Sequence, residues 1–150
     1  GRRLPLAETV SAAPLGVYEE RFSVGPMMGH TDRHFRSLLR MLSRRATLYT
    51  EMVGAQTIHY AEGAALGRWL DSAGRTEGGG ALVLQLGGCS EDILARAVAK
   101  AAPWRYDAIN LNCGCPSDKV SNGGFGAALM QDADLVARLC SAMQDAAGEE

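Results

Sequence analysis

Residues 81–114, ALVLQLGGCSEDILARAVAKAAPWRYDAINLNCG, hold two apolar runs on either side of one amphipathic segment. The first run, ALVLQLGG from Ala81, ends on a glycine pair, and the second, YDAINLNCG from Tyr106, ends on a Cys-Gly step. Short apolar runs bounded by such breakers read as strands. Between them Ser90 can cap a helix that sets Ile93, Leu94, Ala97, Val98 and Ala101 on one face. A strand followed by a crossover helix returns in the same direction, so the two strands are parallel.

The same alternation continues on both sides. RFSVGPM from Arg21 and TLYTEMV from Thr47 read as two earlier strands. Between these two, Thr31 can cap a helix with Phe35, Leu38, Leu39 and Leu42 on its apolar stripe. Asp132 precedes a later helix whose stripe is Leu135, Val136, Leu139, Cys140 and Met143. The stretch from Gly54 to Gly80 predicts a short helix around Ala55 to Tyr60 and then a glycine-rich, mobile connection ending GGG. The class is α/β, and two architectures fit: a doubly wound open sheet or a (β/α)8 barrel. In either one, reactive groups belong at the carboxyl ends of the strands. PMMGHTD, TEMVG, QLGG and NCGCPS all fall there, on one rim.

With 150 residues, 47% hydrophobic and 21% charged, the chain can fill one sizeable core. A net charge of −2 argues against wholesale nucleic-acid binding by bulk charge, so any phosphate contact needs a local basic patch, and composition neither demands nor forbids an RNA partner. No window approaches the roughly 18 apolar residues of a membrane span. The opening GRRLPLAETVSAAPLG, within residues 1–20, reads as an N-terminal extension and a candidate leader remnant. The four cysteines suit free thiols of an intracellular chain, in cytosol or organelle, better than a disulfide framework.

Cys115 sits in the loop after a buried strand, and Pro116 pushes it toward extended geometry, which exposes the sulfur at the rim. Cys140, at a helix-core position, and Cys113, beside the strand end, read as packing. The CxC spacing of Cys113 and Cys115 does not suit a zinc site, so no metal is expected. Met27 and Met28 could floor a flat aromatic ligand or could be ordinary packing. Gln85 needs partners for its amide, from a neighbouring backbone or from a heterocycle. Asn110 and Asn112 share one face of their strand, with Leu111 on the other, which suggests polar ligand recognition. The glycines of SNGGFGAALM lack phosphate-loop spacing and read as a tight loop passing close to the rim. Arg33, Arg36, Arg40 and Arg44 form one cationic stripe on the first helix, either a solvated face or a surface for RNA.

Taken in order, FSVGPMMGHTDRHFR, LYTEMV, LVLQLGG, YDAINLNCGCPSDKV and NGGFGAALM resemble the N-terminal half of the tRNA-dihydrouridine synthases, in particular their bacterial A-type branch. The resemblance runs from about Phe22 to Met143. It implies the first half of an FMN-binding (β/α)8 TIM barrel over residues 21–150, about four βα units. The rest of the barrel and the helical tRNA-binding domain are absent from the sequence, so the fragment is expected to be inactive alone. The implied activity is NADPH-dependent reduction of uridine to 5,6-dihydrouridine in the D loop of tRNA. Reduced FMN gives hydride to C6 of the flipped-out uracil, and the Cys115 thiol protonates C5. The resemblance further implies that Pro26, Met27, Met28 and Gln85 bind FMN and that Asn112 holds the target uridine. Cys113 stands where relatives commonly carry an aliphatic residue. Two other readings fit the sequence: an FMN barrel acting on free pyrimidines, and a non-catalytic remnant that binds tRNA through the arginine face.

Overall fold

The structure is a computed structural model and describes residues 22–148; the extension at residues 1–20 lies outside them. Four strands, β1 (Ser23–Val24), β2 (Thr47–Gly54), β3 (Leu82–Gly87) and β4 (Ala108–Leu111), pair in parallel in the order β1-β2-β3-β4. Six α-helices follow them in turn: α1 (Arg33–Leu42), α2 (Ala55–Tyr60), α3 (Gly63–Trp69), α4 (Glu91–Ala101), α5 (Asp118–Ser121) and α6 (Ala133–Ala147). A doubly wound sheet reverses its strand order at a switch point. Here each strand adds to the same side of the last, as the first four βα units of a (β/α)8 barrel do.

β3 is buried along its whole length. Leu84 and Leu86 point to the helix side, where they meet Ile58 of α2, Leu94, Ala97 and Val98 of α4, and Leu139 and Met143 of α6 in one core. A second, smaller cluster holds Ala46, Leu48 and Leu82 against Val24 and Leu39. Burial of these apolar side chains is the main stabilising term. On the other face, register pairs Met52 with Gln85 and Gln85 with Asn110. A register shift between Tyr49 and Met52 marks a bulge in β2 at Thr50 and Glu51.

Helix starts depart slightly from the sequence reading. Asp32, not Thr31, caps α1, its carboxylate accepting the Phe35 N–H at 2.8 Å. Asp132 caps α6 through the Leu135 N–H at 2.8 Å, whereas Ser90 stands at the start of α4 without a side-chain cap bond. The segment after α2, read as a mobile connection, contains α3 and is bonded at both ends, the Ala61 carbonyl accepting from Lys100 Nζ at 3.0 Å and the Gly80 N–H donating to the Arg44 carbonyl at 2.6 Å.

The larger correction concerns α1. Arg36 and Arg40 are not on a solvated or RNA-facing stripe; they are buried. Arg36 donates to the carbonyls of Thr31, Asp71 and Ala73 at 2.6, 2.7 and 3.1 Å. Arg40 donates to Gly74 at 2.7 Å, Ala46 at 2.7 Å, Gly80 at 2.8 Å and Arg44 at 3.0 Å. A guanidinium offers five N–H donors in a fixed fork, which suits a crowd of carbonyls that no strand or helix satisfies. Burial lowers the pKa of both, yet an arginine stays charged throughout the accessible pH range. Of the expected stripe, Leu38 and Leu42 are exposed instead, as is Met41 beside them, and only Leu39 packs against a core cluster.

Gly80 belongs to the same latch. Its N–H bonds the Arg44 carbonyl at 2.6 Å, and a Cβ there would collide with the carbonyls of Arg45 and Ala46. Cys140 is likewise exposed rather than in the core, because α6 turns Leu139 and Met143 inward.

Candidate functional site

The carboxyl ends of the strands form a rim with the polar groups of β3 and β4 at its centre. Gln85 lies on the face away from the helices and is 7% exposed. Its Nε2 donates to Asn110 Oδ1 at 2.8 Å, and its Oε1 accepts from Asn112 Nδ2 at 2.9 Å. Asn112 continues the chain: its Oδ1 accepts the N–H groups of Gly114 and Cys115 at 3.2 and 3.0 Å. One side chain of the rim therefore fixes the start of the cysteine loop. The pairing of Gln85 with Asn110 in the parallel register is what brings the three amides together.

The loop is held from the other side by the glycine turn. The Cys115 carbonyl accepts the Ala127 N–H at 2.9 Å. Gly126 has φ +65, and a Cβ there would lie 2.7 Å from the Cys115 oxygen. No other residue fits both the left-handed backbone and that close approach. Phe125 lies over Gly87, which has room for no side chain, since a Cβ would stand 2.9 Å from its ring and 2.9 Å from Met52 Sδ.

Cys115 is partly exposed, and its Sγ lies 3.6 Å from Ser117 Oγ. The Ser117 backbone N–H, and secondarily its hydroxyl, hold the thiol below its ordinary pKa. Cys113 behaves oppositely: it packs against the core and burial pushes its thiol up. The two cysteines of the CxC pair thus have separate environments, one facing the rim and one the core.

Met27 and Met28 are exposed at the end of β1, and Pro26 is half-buried beside them. Their loop is braced by Thr31, whose hydroxyl accepts the Met27 N–H at 3.0 Å, and by Glu51, which accepts the Gly29 N–H at 2.6 Å. The structure brings Gln85, Asn112 and the Cys115 loop into one bonded chain. It places Pro26, Met27 and Met28 on the same rim, separated from β3 by β2. Sequence reading put Ser117 and Met52 in rim segments and Gly126 in a loop close to the rim, but assigned none of the three a role at the site. A glycine preceding a helix was visible, but its contact with Cys115 was not.

The residues fit a flavin ring. Gln85 has spent one amide hydrogen and keeps another for a ring carbonyl or nitrogen, and the exposed methionines offer soft apolar contact. Among the described residues no three His, Cys, Asp or Glu side chains cluster as metal ligands. No described helix is long and apolar enough to cross a membrane.

A family model described as dihydrouridine synthase matches residues 23–149. A tRNA-dihydrouridine(20/20a) synthase of Synechocystis sp. is 49% identical over 124 residues, 83% of this chain and 35% of that protein. The protein of the same description from Xanthomonas axonopodis pv. citri is 48% identical over 123 residues, 82% of this chain and 35% of its own length. That of Escherichia coli K12 is 48% identical over 125 residues, 83% of this chain and 34% of its own length. The chain spans about a third of the length of these relatives. With its parallel strand order and its ordered rim motifs, the chain belongs to the dihydrouridine synthase family.

Proposed function

We propose that this chain forms the N-terminal half of the catalytic barrel of an enzyme that reduces uridine to 5,6-dihydrouridine in the D loop of tRNA, using FMN and NADPH. The observation that carries it is the bonded chain from Gln85 through Asn112 to the Cys115 loop, which joins a flavin-compatible amide to a proton-bearing sulfur. Among the described residues β1 and β4 are the end strands of the sheet, and this, with the exposed Leu38, Met41 and Leu42 of α1, supports further barrel units beside them.

Bound FMN supplies hydride chemistry that this chain's own side chains lack. Gln85 would hold the ring through its free amide hydrogen, and Pro26, Met27 and Met28 would hold it from the β1 end. Asn112 holds the target uracil beside the thiol while its Oδ1 keeps the loop in place. Cys115 donates its proton to C5 of the uracil, which carries developing negative charge conjugated with the C4 carbonyl. Its partial exposure admits the base, which must leave the tRNA fold to reach it.

The test is the full-length polypeptide purified with its cofactor. It is expected to be yellow and to convert D-loop uridine of unmodified tRNA with NADPH, leaving free uridine unchanged. Colourless protein, or turnover of free uridine alone, refutes the reading.

A pH prediction follows from Ser117. A thiol that donates a proton fails once deprotonated, so the rate falls as pH rises through its pKa. Ser117 lowers that pKa by bonding to the thiolate, so Ser117→Ala returns it part of the way upward. The alkaline limb of the pH profile is expected to move to higher pH. A limb that stays put or moves down removes the Ser117 hydroxyl from the account.

A further inference from the structure

A cleft opens between the loop after β1, the end of β2 and the last turn of α3. Its volume is 280 Å3, and of the rim residues above only Met28, Met52 and Glu51 line it. Three carboxylates face it, and each is engaged. Asp32 caps α1, Glu51 accepts the Gly29 N–H, and Asp71 pairs with Arg33 at 3.4 Å and Arg36 at 3.7 Å. His34 lines the same cleft beside Asp32, and the Arg68 side chain there has no hydrogen-bond or ion-pair partner among the described residues. Beside Arg68 stands Trp69, which is 52% exposed.

An indole of this size is ordinarily highly buried. Its exposure here is not fraying, because the next two residues are anchored. Leu70 is fully buried, and Asp71 donates its N–H to the Tyr106 hydroxyl at 3.0 Å while its carbonyl accepts from Arg36 at 2.7 Å. The backbone on which Trp69 sits is therefore held in place before any ligand arrives. A rigid exposed aromatic face, an unpaired guanidinium beside it and a cavity sized for one base are what single-stranded nucleic acids are bound by.

We propose that this cleft binds a second, unmodified nucleotide of the tRNA substrate, its base stacked on Trp69 and its phosphate on Arg68. The inference rests on the tRNA reading given above. It places a positioning contact at the β1–β2 side of the rim, while the target uridine lies at the β3–β4 side. Two nucleotides held on one rim fix the register of the RNA, and register decides which uridine reaches Cys115.

The experiment uses the full-length polypeptide and unmodified tRNA. Trp69→Ala is expected to weaken tRNA binding about tenfold, the usual size of one lost stacking contact. Trp69→Phe, which keeps an aromatic face, should stay within about threefold of wild type. Arg68→Gln should lower the slope of log Kd against log salt by about one. In turnover the loss should fall on KM for tRNA and leave KM for NADPH, which also carries bases and phosphates, where it was. Unchanged tRNA affinity in Trp69→Ala overturns the proposal, and so does a rise in the NADPH KM in place of the tRNA KM. A wild-type protein that forms dihydrouridine but ignores Trp69→Ala sinks this inference alone. One that makes no dihydrouridine yet loses tRNA affinity on the same substitution sinks the activity and supports the cleft.

Discussion

Replacing Cys115 by alanine in the full-length polypeptide is expected to lower dihydrouridine formation by roughly 10²–10⁴-fold while flavin binding persists, the range of a lost general acid. The separation of the two effects follows from how the loop is held. Its anchors are backbone groups: the Cys115 N–H to Asn112 Oδ1 at 3.0 Å and the Cys115 carbonyl to the Ala127 N–H at 2.9 Å. Neither uses the sulfur, so the loop keeps its course without it. Cys115→Ser leaves an O–H in nearly the same place, but a hydroxyl is a far weaker acid than a thiol and should restore little. Quantifying dihydrouridine in tRNA together with flavin absorbance checks both parts. Normal rates in both variants would remove Cys115 from the chemistry. Loss of flavin along with activity would make it a residue that supports the cofactor instead.

Arg40→Ala is expected to destabilise the fold by about 2–4 kcal/mol, the cost of leaving several buried and part-buried carbonyls without their charged donor. Against a domain stability of about 5–15 kcal/mol this is a large share. The guanidinium gathers the Gly74 carbonyl, those of Arg44 and Ala46 ahead of β2, and that of Gly80 ahead of β3. Removing it takes the donor from several carbonyls at once, of which that of Ala46 is buried and those of Gly74 and Gly80 partly so. Arg40→Lys keeps the charge but has three donors on one nitrogen, so it should recover only part of the loss. Urea unfolding of the full-length protein measures the difference. A cost under about 1 kcal/mol would show that water replaces the guanidinium and that the latch is dispensable.

The arginine stripe shows where sequence reading stops. α1 carries two stripes of helical period, one of Leu and one of Arg, and periodicity reports stripes without saying which faces inward. The choice is made by carbonyls at residues 71–81, more than thirty positions along the chain, whose need for donors no local pattern reveals. The same ignorance applies to Cys140, which shares the apolar stripe of α6 but lies on its exposed margin.

What the sequence by itself determined is the alternation of β and α, the parallel direction that follows, and the placement of PMMGHTD, QLGG and NCGCPS at the ends of their strands. These are local or nearly local: the period of apolar residues and the position of Gly and Pro set them. It also settled that Asn110 and Asn112 share a face, because strand alternation has a period of two. Only tertiary structure decided that Gln85 meets both asparagines, that Gly126 presses on the Cys115 carbonyl, and that Trp69 stands exposed over a cleft. Each of these depends on register or on a packing distance between segments far apart in sequence, and a hydrogen bond tests distance and angle, which a linear pattern does not encode.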